Sequence, residues 1–216
     1  AMVIGLVQSL FKLVKSLAID LNHTDWSEYD KTHSYADAEH EAKKDFIERV
    51  IATKHKGLVW DIGCNTGTFS NLAARHSKYV VALDGDHNAI EKLYRAERKK
   101  KTGNIQPMVM NLANISPNQG WAGTERAAFD KRGKPDLVLV LALIHHIRMT
   151  SNIPLPLFLN WLCKLDAEII IEFVNREDEM VVKLLTNKAE QYLDYNLDNF
   201  IEHVEKRFTI NSRQTL

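Results

Sequence analysis

The chain has 216 residues, 45% of them hydrophobic and 26% charged, with 28 Lys plus Arg against 28 Asp plus Glu. That length and balance fit one globular domain, or one domain with an appendage, and exclude disordered, collagen-like and disulfide-dense classes. A formal net charge of 0 supplies no global field toward nucleic acid or an anionic membrane. Only Cys64 and Cys163 are available as thiols; two distant cysteines argue against a disulfide scaffold or a Cys-rich zinc site, so a reducing cytoplasm is the expected setting.

Val3, Val7, Leu10, Val14 and Leu17 recur at spacings of four and three and predict an amphipathic helix over 3–19. A core-facing or docking helix is favoured there over a partner or membrane-surface helix. Gln8, Lys12 and Lys15 interrupt the stretch, no apolar run reaches the roughly 20 residues of a bilayer span, and no membrane partner is expected. Residues 20–35 read as a loop containing Trp26, Tyr29, His33 and Tyr35, and Asp37 can cap a second helix running to about Lys54.

From residue 58 the pattern alternates. Strands are predicted at Leu58–Ile62, Tyr79–Leu83, Gln106–Met110, Asp136–Leu141, Glu168–Val174 and Phe208–Ile210. Helices are predicted over 69–76, His87–Lys100, Leu155–Lys164, Asp178–Leu193 and Leu197–Lys206. Strands alternating with helices imply an α/β doubly wound, mostly parallel sheet covered on both faces. Residues 1–56 form an N-terminal helical segment and lid loop on this reading, and residues 57–216 the core.

In such a sheet the ligand crevice lies at the carboxyl ends of the strands, which directs attention to Gly63-Cys64-Asn65-Thr66-Gly67. The dinucleotide fingerprint requires glycine at the first, third and sixth positions, where this chain has Gly63, Asn65 and Thr68. A P-loop requires Gly-Lys-Ser/Thr, and the sequence is Gly67-Thr68-Phe69. What remains is Asp61-x-Gly63-Cys64-x-x-Gly67, an acidic strand residue before a turn with no phosphate-binding lysine. It suits a ligand with a cationic amine and a nucleoside but no pyrophosphate.

Val59-Trp60-Asp61-Ile62-Gly63-Cys64-Asn65-Thr66-Gly67 resembles the first motif of the class I S-adenosylmethionine-dependent methyltransferases. Val80-Val81-Ala82-Leu83-Asp84 resembles the second, whose terminal carboxylate holds the ribose hydroxyls. The third motif departs from the pattern, with Asn111-Leu112 where an acidic residue usually meets the adenine. Asp136–Leu141 and its continuation to His146 resemble the fourth motif, and Ile169–Phe173 the fifth strand. The segments DIGCNTG, LALIHH and EFVNRED are most similar to the nodulation-protein NoeA-like branch. The resemblance implies S-adenosyl-L-methionine as cofactor, with Asp61, Gly63, Cys64, Asn65, Gly67, Asp84, Gly85, Asn111, Leu112 and Leu141 around it and Tyr35 in a lid over it. Asn65 replaces a glycine of the motif and is the non-glycine residue that best tolerates a positive backbone φ.

Methyl transfer from a sulfonium is an in-line displacement that requires alignment in a dry pocket and few catalytic groups. An oxygen nucleophile benefits from a base, for which His145 and His146 are candidates, only one of two adjacent side chains being expected to face a substrate. Glu172 is a third candidate, with pairing to Arg176 or Arg148 as its structural alternative. The expected acceptor is an oxygen of a small-molecule or carbohydrate-type substrate. A non-catalytic interaction module, an RNA methyltransferase using the basic run at Arg95–Lys101, and a nicotinamide-dependent oxidoreductase are the alternatives.

No Asp/Asn-Pro-Pro-Tyr/Phe sequence follows the fourth strand, so a DNA substrate is not expected. The histidines show neither HExxH spacing nor a complete calcium loop, and no metal is expected. The family's sheet ends in a seventh, antiparallel strand, for which only six residues remain after Ile210; the chain is expected to lack that strand or to be part of a longer polypeptide.

Overall fold

The computed structural model describes residues 2–17, 37–100, 103–188 and 190–216. Five strands form one sheet: β1 (Lys56–Ile62), β2 (Ser77–Asp84), β3 (Ile105–Val109), β4 (Leu137–Val140) and β5 (Glu168–Ile171). Their order is β3-β2-β1-β4-β5 and every neighbouring pair is parallel. The helices are α1 (Met2–Ser16), α2 (Asp37–Ala52), α3 (Thr68–Ala74), α4 (His87–Lys99), α5 (Leu155–Lys164), α6 (Glu179–Leu184) and α7 (Leu197–Glu205). Among the described residues no helix is long and apolar enough to cross a membrane.

The central strands are apolar on both sides because both sides are covered. Trp60, Ile62, Val138 and Val140 point into one core with Phe158 and Leu162 of α5 and Phe200 and Val204 of α7. The alternate residues Val59, Val80, Leu137 and Leu139 point into the other, against Ile47 and Ile51 of α2, Leu72 of α3 and Leu93 of α4. A slip of one residue in any strand would exchange the two sets, so the alternation fixes the register. Each fully buried large aliphatic side chain contributes roughly 1.5–3 kcal/mol of burial, which makes such a slip prohibitive across several strands.

Strand order reverses at β1, with β2 and β3 on one side and β4 and β5 on the other. That is the topological switch point, and it opens a crevice beyond the carboxyl ends of β1 and β4.

Four sequence-based expectations require correction. Phe208–Ile210 is not a strand: the Arg207 and Phe208 amides both donate to Val204 O, at 2.9 and 2.8 Å, to close α7, and Phe208 and Ile210 pack partly buried against the core. Their apolar pattern reflects packing without strand pairing. The helix predicted over 178–193 is helical only to Leu184 and continues in turns, with Tyr192 and Tyr195 anchoring that stretch in the core. Strand β5 ends at Ile171, which leaves Glu172 just beyond the ladder. Helix α1 is amphipathic as expected, yet none of its residues is buried, and Leu6, Leu10, Phe11 and Val14 are all exposed.

Candidate functional site

The turn after β1 is held by backbone bonds to the end of β2. The amides of Gly63 and Cys64 both donate to Leu83 O at 2.8 and 3.0 Å, and that of Asn65 donates to Asp84 Oδ2 at 2.8 Å. To make these contacts Gly63 adopts φ 78°, Asn65 φ 50° and Gly67 φ 89°. A Cβ on Gly63 would stand 3.1 Å from Leu143 Cδ1, and one on Gly67 would collide with Leu93 Cδ1 at 2.5 Å. Gly67 is therefore required by space as well as by dihedral angle, and Gly63 by its dihedral angle, with Leu143 in close contact.

Asp84 ends β2 at the cleft edge. Its Oδ1 accepts the Asp86 amide at 2.8 Å, while Asp86 caps α4 by accepting from the Asn88 and Ala89 amides. Burial raises the Asp84 carboxyl above the usual carboxylate range, opposed by the Asp86 and Asn65 N–H bonds. Each carboxylate oxygen retains acceptor capacity beyond its one described N–H bond.

After β4 the chain turns through Leu141, Ala142 at φ 47° and Leu143 into a single π-helical turn, His146–Thr150, closed by a Ser151 N–H to His146 O bond of 3.0 Å. One-turn π segments recur at functional sites because they re-aim side chains that a regular helix would bury. Here the adjacent histidines divide: His146 lines the cleft, whereas His145 is buried at 2% exposure. Their rings lie 4.1 Å apart. Burial lowers the His146 pKa to about 4; burial first, then the neighbouring His146 and Lys43, lowers that of His145 to about 3. Both imidazoles are neutral at pH 7.

These elements enclose a cleft of about 870 Å³. Gly63, Asn65, Asp84 and Gly85 line one end, Asn111 and Leu112 a second side, and Leu141 and His146 the wall from β4. Asn111 is fixed by accepting the Ala113 amide at 2.9 Å through its side-chain oxygen, which leaves its NH₂ group to donate. Ala142, Leu143, Thr150 and Ser151 also line the cleft and were not foreseen; a π turn carries no periodic signature in sequence.

Five predicted residues do not line the cleft. Asp61 is buried beneath it, accepting a 2.5 Å bond from Ser70 Oγ, with its pKa raised to about 6 by burial against that bond. Cys64 points into the core, where burial pushes its thiol up, and Gly67 serves as the cap of α3. His145 is in the core. Glu172 Oε2 accepts from Lys43 Nζ at 2.8 Å and from the Ala142 amide at 2.6 Å. Of the arginines weighed as its partners, Arg148 pairs with Asp194 at 3.0 Å and Arg176 donates to Tyr192 O. Tyr35, like Trp26, Tyr29 and His33, lies outside the described residues. Trp121 is 83% exposed and does not line the cleft.

Residues 40–215 match the family model of the FtsJ-like methyltransferases. The chain belongs to this family and has the Rossmann-like fold of S-adenosylmethionine-dependent methyltransferases. It is 28% identical over 215 residues to the nodulation protein NoeA of Rhizobium meliloti (strain 1021), in an alignment covering 98% of this chain and 45% of NoeA. The chain thus spans less than half the length of that curated relative.

Solved structures that share the fold include the following two. The N-methyltransferase NodS from Bradyrhizobium japonicum WM9, in complex with S-adenosyl-L-homocysteine, is 16% identical, with 77% of this chain and 81% of NodS covered and a TM-score of 0.50. The YcgJ protein of Bacillus subtilis is 9% identical, with 78% and 68% covered and a TM-score of 0.51.

S-adenosylmethionine is the family's cofactor, and the residues present fit it. The cleft is within the range of roughly 300–1,000 Å³ that encloses a small molecule. Gly63 presents bare backbone at one end, and Asp84 supplies an acceptor at the strand edge. Among the described residues that line it there is no lysine or arginine, as suits a ligand without phosphate.

Proposed function

We propose that the chain transfers a methyl group from S-adenosylmethionine to an oxygen atom of a small-molecule or carbohydrate-type acceptor. The single observation that carries this reading is that His146, a neutral imidazole, lines the same cleft as Asp84. Bound there, the cofactor supplies an electrophilic methyl carbon. Asp84 accepts from the ribose hydroxyls, Gly63 and Asn65 present backbone to the amino-acid end, and the Asn111 NH₂ group donates to the base. His146 would accept a hydrogen bond from the acceptor hydroxyl and orient its lone pair; with a pKa of about 4 it would take the proton only as the new C–O bond forms and the sulfonium S–C bond breaks, with S-adenosylhomocysteine as the leaving group. Leu141 and Leu143 keep that side of the cleft apolar and exclude water.

The state of the basic run at Arg95–Lys100 supports a small acceptor over RNA. Arg95 is paired with Glu91 at 2.7 Å, Lys100 with Glu97 at 2.6 Å, and Arg98 lies 5.7 Å from the Tyr94 ring centroid. Those cations are engaged along α4. A cytoplasmic setting is part of the same proposal, supported by the free thiols of Cys64 and Cys163. The exposed apolar face of α1 favours one second reading, an interaction module that retains the fold without turnover.

The test is transfer of label from methyl-tritiated S-adenosylmethionine to a panel of oligosaccharides and hydroxylated small molecules, with bulk RNA in parallel. Label in an alkali-stable ether of a small acceptor, lost in His146→Ala, is the expected result. Label in the RNA fraction would replace this reading, and cofactor binding with no transfer to any acceptor would favour the interaction module.

A further inference from the structure

We propose that Lys43 is a positioning residue: through Glu172 it holds the turn after β4 in the conformation that sets Leu143 and His146 along the cleft wall. The inference rests on the reading of that cleft as the methyl-transfer site. Lys43 and Glu172 are 129 residues apart, and neither lines the cleft. Their ion pair is nearly closed off from solvent, with side-chain exposures of 8% and 11%. The Glu172 oxygen that accepts from the ammonium also accepts the Ala142 amide at 2.6 Å.

Ala142 needs such a hold. Its φ of 47° lies in the left-handed region, which an L-residue with a β-carbon occupies only where its surroundings impose it. A carboxylate acceptor makes the stronger class of hydrogen bond, and the ammonium turns that carboxylate inward and pairs it in a site where an unpaired charge is strongly disfavoured. The other side of the ammonium is fixed by the Phe69 ring of α3, 4.9 Å away. Beyond Ala142 the constraint propagates directly: Leu143 O accepts the His146 and Ile147 amides at 2.9 and 3.1 Å and so starts the π turn. Helix α2 is thereby coupled to the orientation of His146, although none of its described side chains lines the cleft.

The test uses isotope-labelled full chain without ligand. Ala142 amide exchange and the His146 imidazole titration are followed by NMR, and thermal unfolding confirms that each variant is folded. In Lys43→Met, Ala142 exchange is expected to accelerate about ten-fold or more, and the His146 titration to rise toward the ordinary histidine value as water reaches the ring. In Lys43→Met/Glu172→Gln the amide oxygen can accept the Ala142 N–H with no charge left unpaired, and both readouts are expected to return toward wild type. A merely structural contribution of Lys43 would lower the unfolding temperature without moving the His146 titration.

Unchanged exchange and titration in a folded Lys43→Met protein overturn the proposal, as does a double variant that recovers neither. Lys43→Met/Glu172→Met, which removes both members of the ion pair and the acceptor for Ala142, serves if the single variant does not fold. Fast exchange and a raised titration there support the proposal, and wild-type values overturn it. Neither readout involves a ligand, so failure of the wild type to bind the cofactor would defeat the proposed function and leave this test intact.

Discussion

The carboxylate of Asp84 accepts the backbone amide of Asn65 at 2.8 Å, tying the end of β2 to the turn that leaves β1. One side chain therefore shapes the glycine turn and presents acceptor capacity to the cleft.

Replacing Asp84 tests both roles. Asp84→Ala is expected to weaken S-adenosylhomocysteine binding by roughly 1–3 kcal/mol through loss of charge-assisted hydrogen bonds. Calorimetric titration measures it, and unchanged affinity in a folded variant would remove Asp84 from the site.

At Gly63 the demand is steric. A side chain at φ 78° with Leu143 Cδ1 3.1 Å from its Cβ strains the turn by about 1–2 kcal/mol and moves a residue of the cleft wall. Gly63→Val should lower the urea midpoint and abolish detectable S-adenosylhomocysteine binding. A variant that binds like wild type would contradict the placement of the cofactor against this turn.

The buried histidines set an acid limit. Their folded pKa values, about 3 for His145 and about 4 for His146, lie below the ordinary 6.5. The unfolded chain consequently takes up protons that the folded chain refuses, so stability is full above about 6.5 and falls as pH drops toward those values. Between pH 7 and 4.5 the loss should be on the order of 2 kcal/mol for each imidazole. Urea unfolding across that range measures it, and His145→Phe should flatten part of the slope.

Asp61 works with the opposite sign. Its pKa is raised from 3.8 to about 6, so its contribution to stability is present below about 3.8 and lost as pH rises through about 6. The buried carboxylate is accordingly unfavourable at neutral pH. Asp61→Asn, whose side-chain oxygen can still accept from Ser70, should stabilise the chain by roughly 1–3 kcal/mol at pH 7. The gain should shrink toward pH 4, and a destabilised variant at pH 7 would show that the Ser70 bond and nearby Lys43 outweigh burial.

The parallel sheet was readable because its strands are short apolar runs followed by helices, and the cleft was readable where geometry follows from local sequence. Gly63, Asn65 and Asp84 are examples, since a positive φ and a strand-end carboxylate leave marks at single positions. Glu172 was not readable in the same way. Its role depends on Lys43, 129 residues earlier, and long-range pairing has no local signature. The apolar alternation at Phe208–Ile210 misled because half-buried packing and strand pairing produce the same pattern over three residues. The division of His145 from His146 depends on a π turn whose extra residue per turn is set by tertiary contacts.

The proposed function requires the cleft between Gly63, Asp84 and His146 to bind S-adenosylmethionine. Isothermal titration of the chain with S-adenosylhomocysteine, with NAD as control, tests it most directly. Saturable one-to-one binding of S-adenosylhomocysteine that Asp84→Ala weakens, with none of NAD, is the expected result. A folded chain that binds neither, or that binds NAD instead, would contradict it.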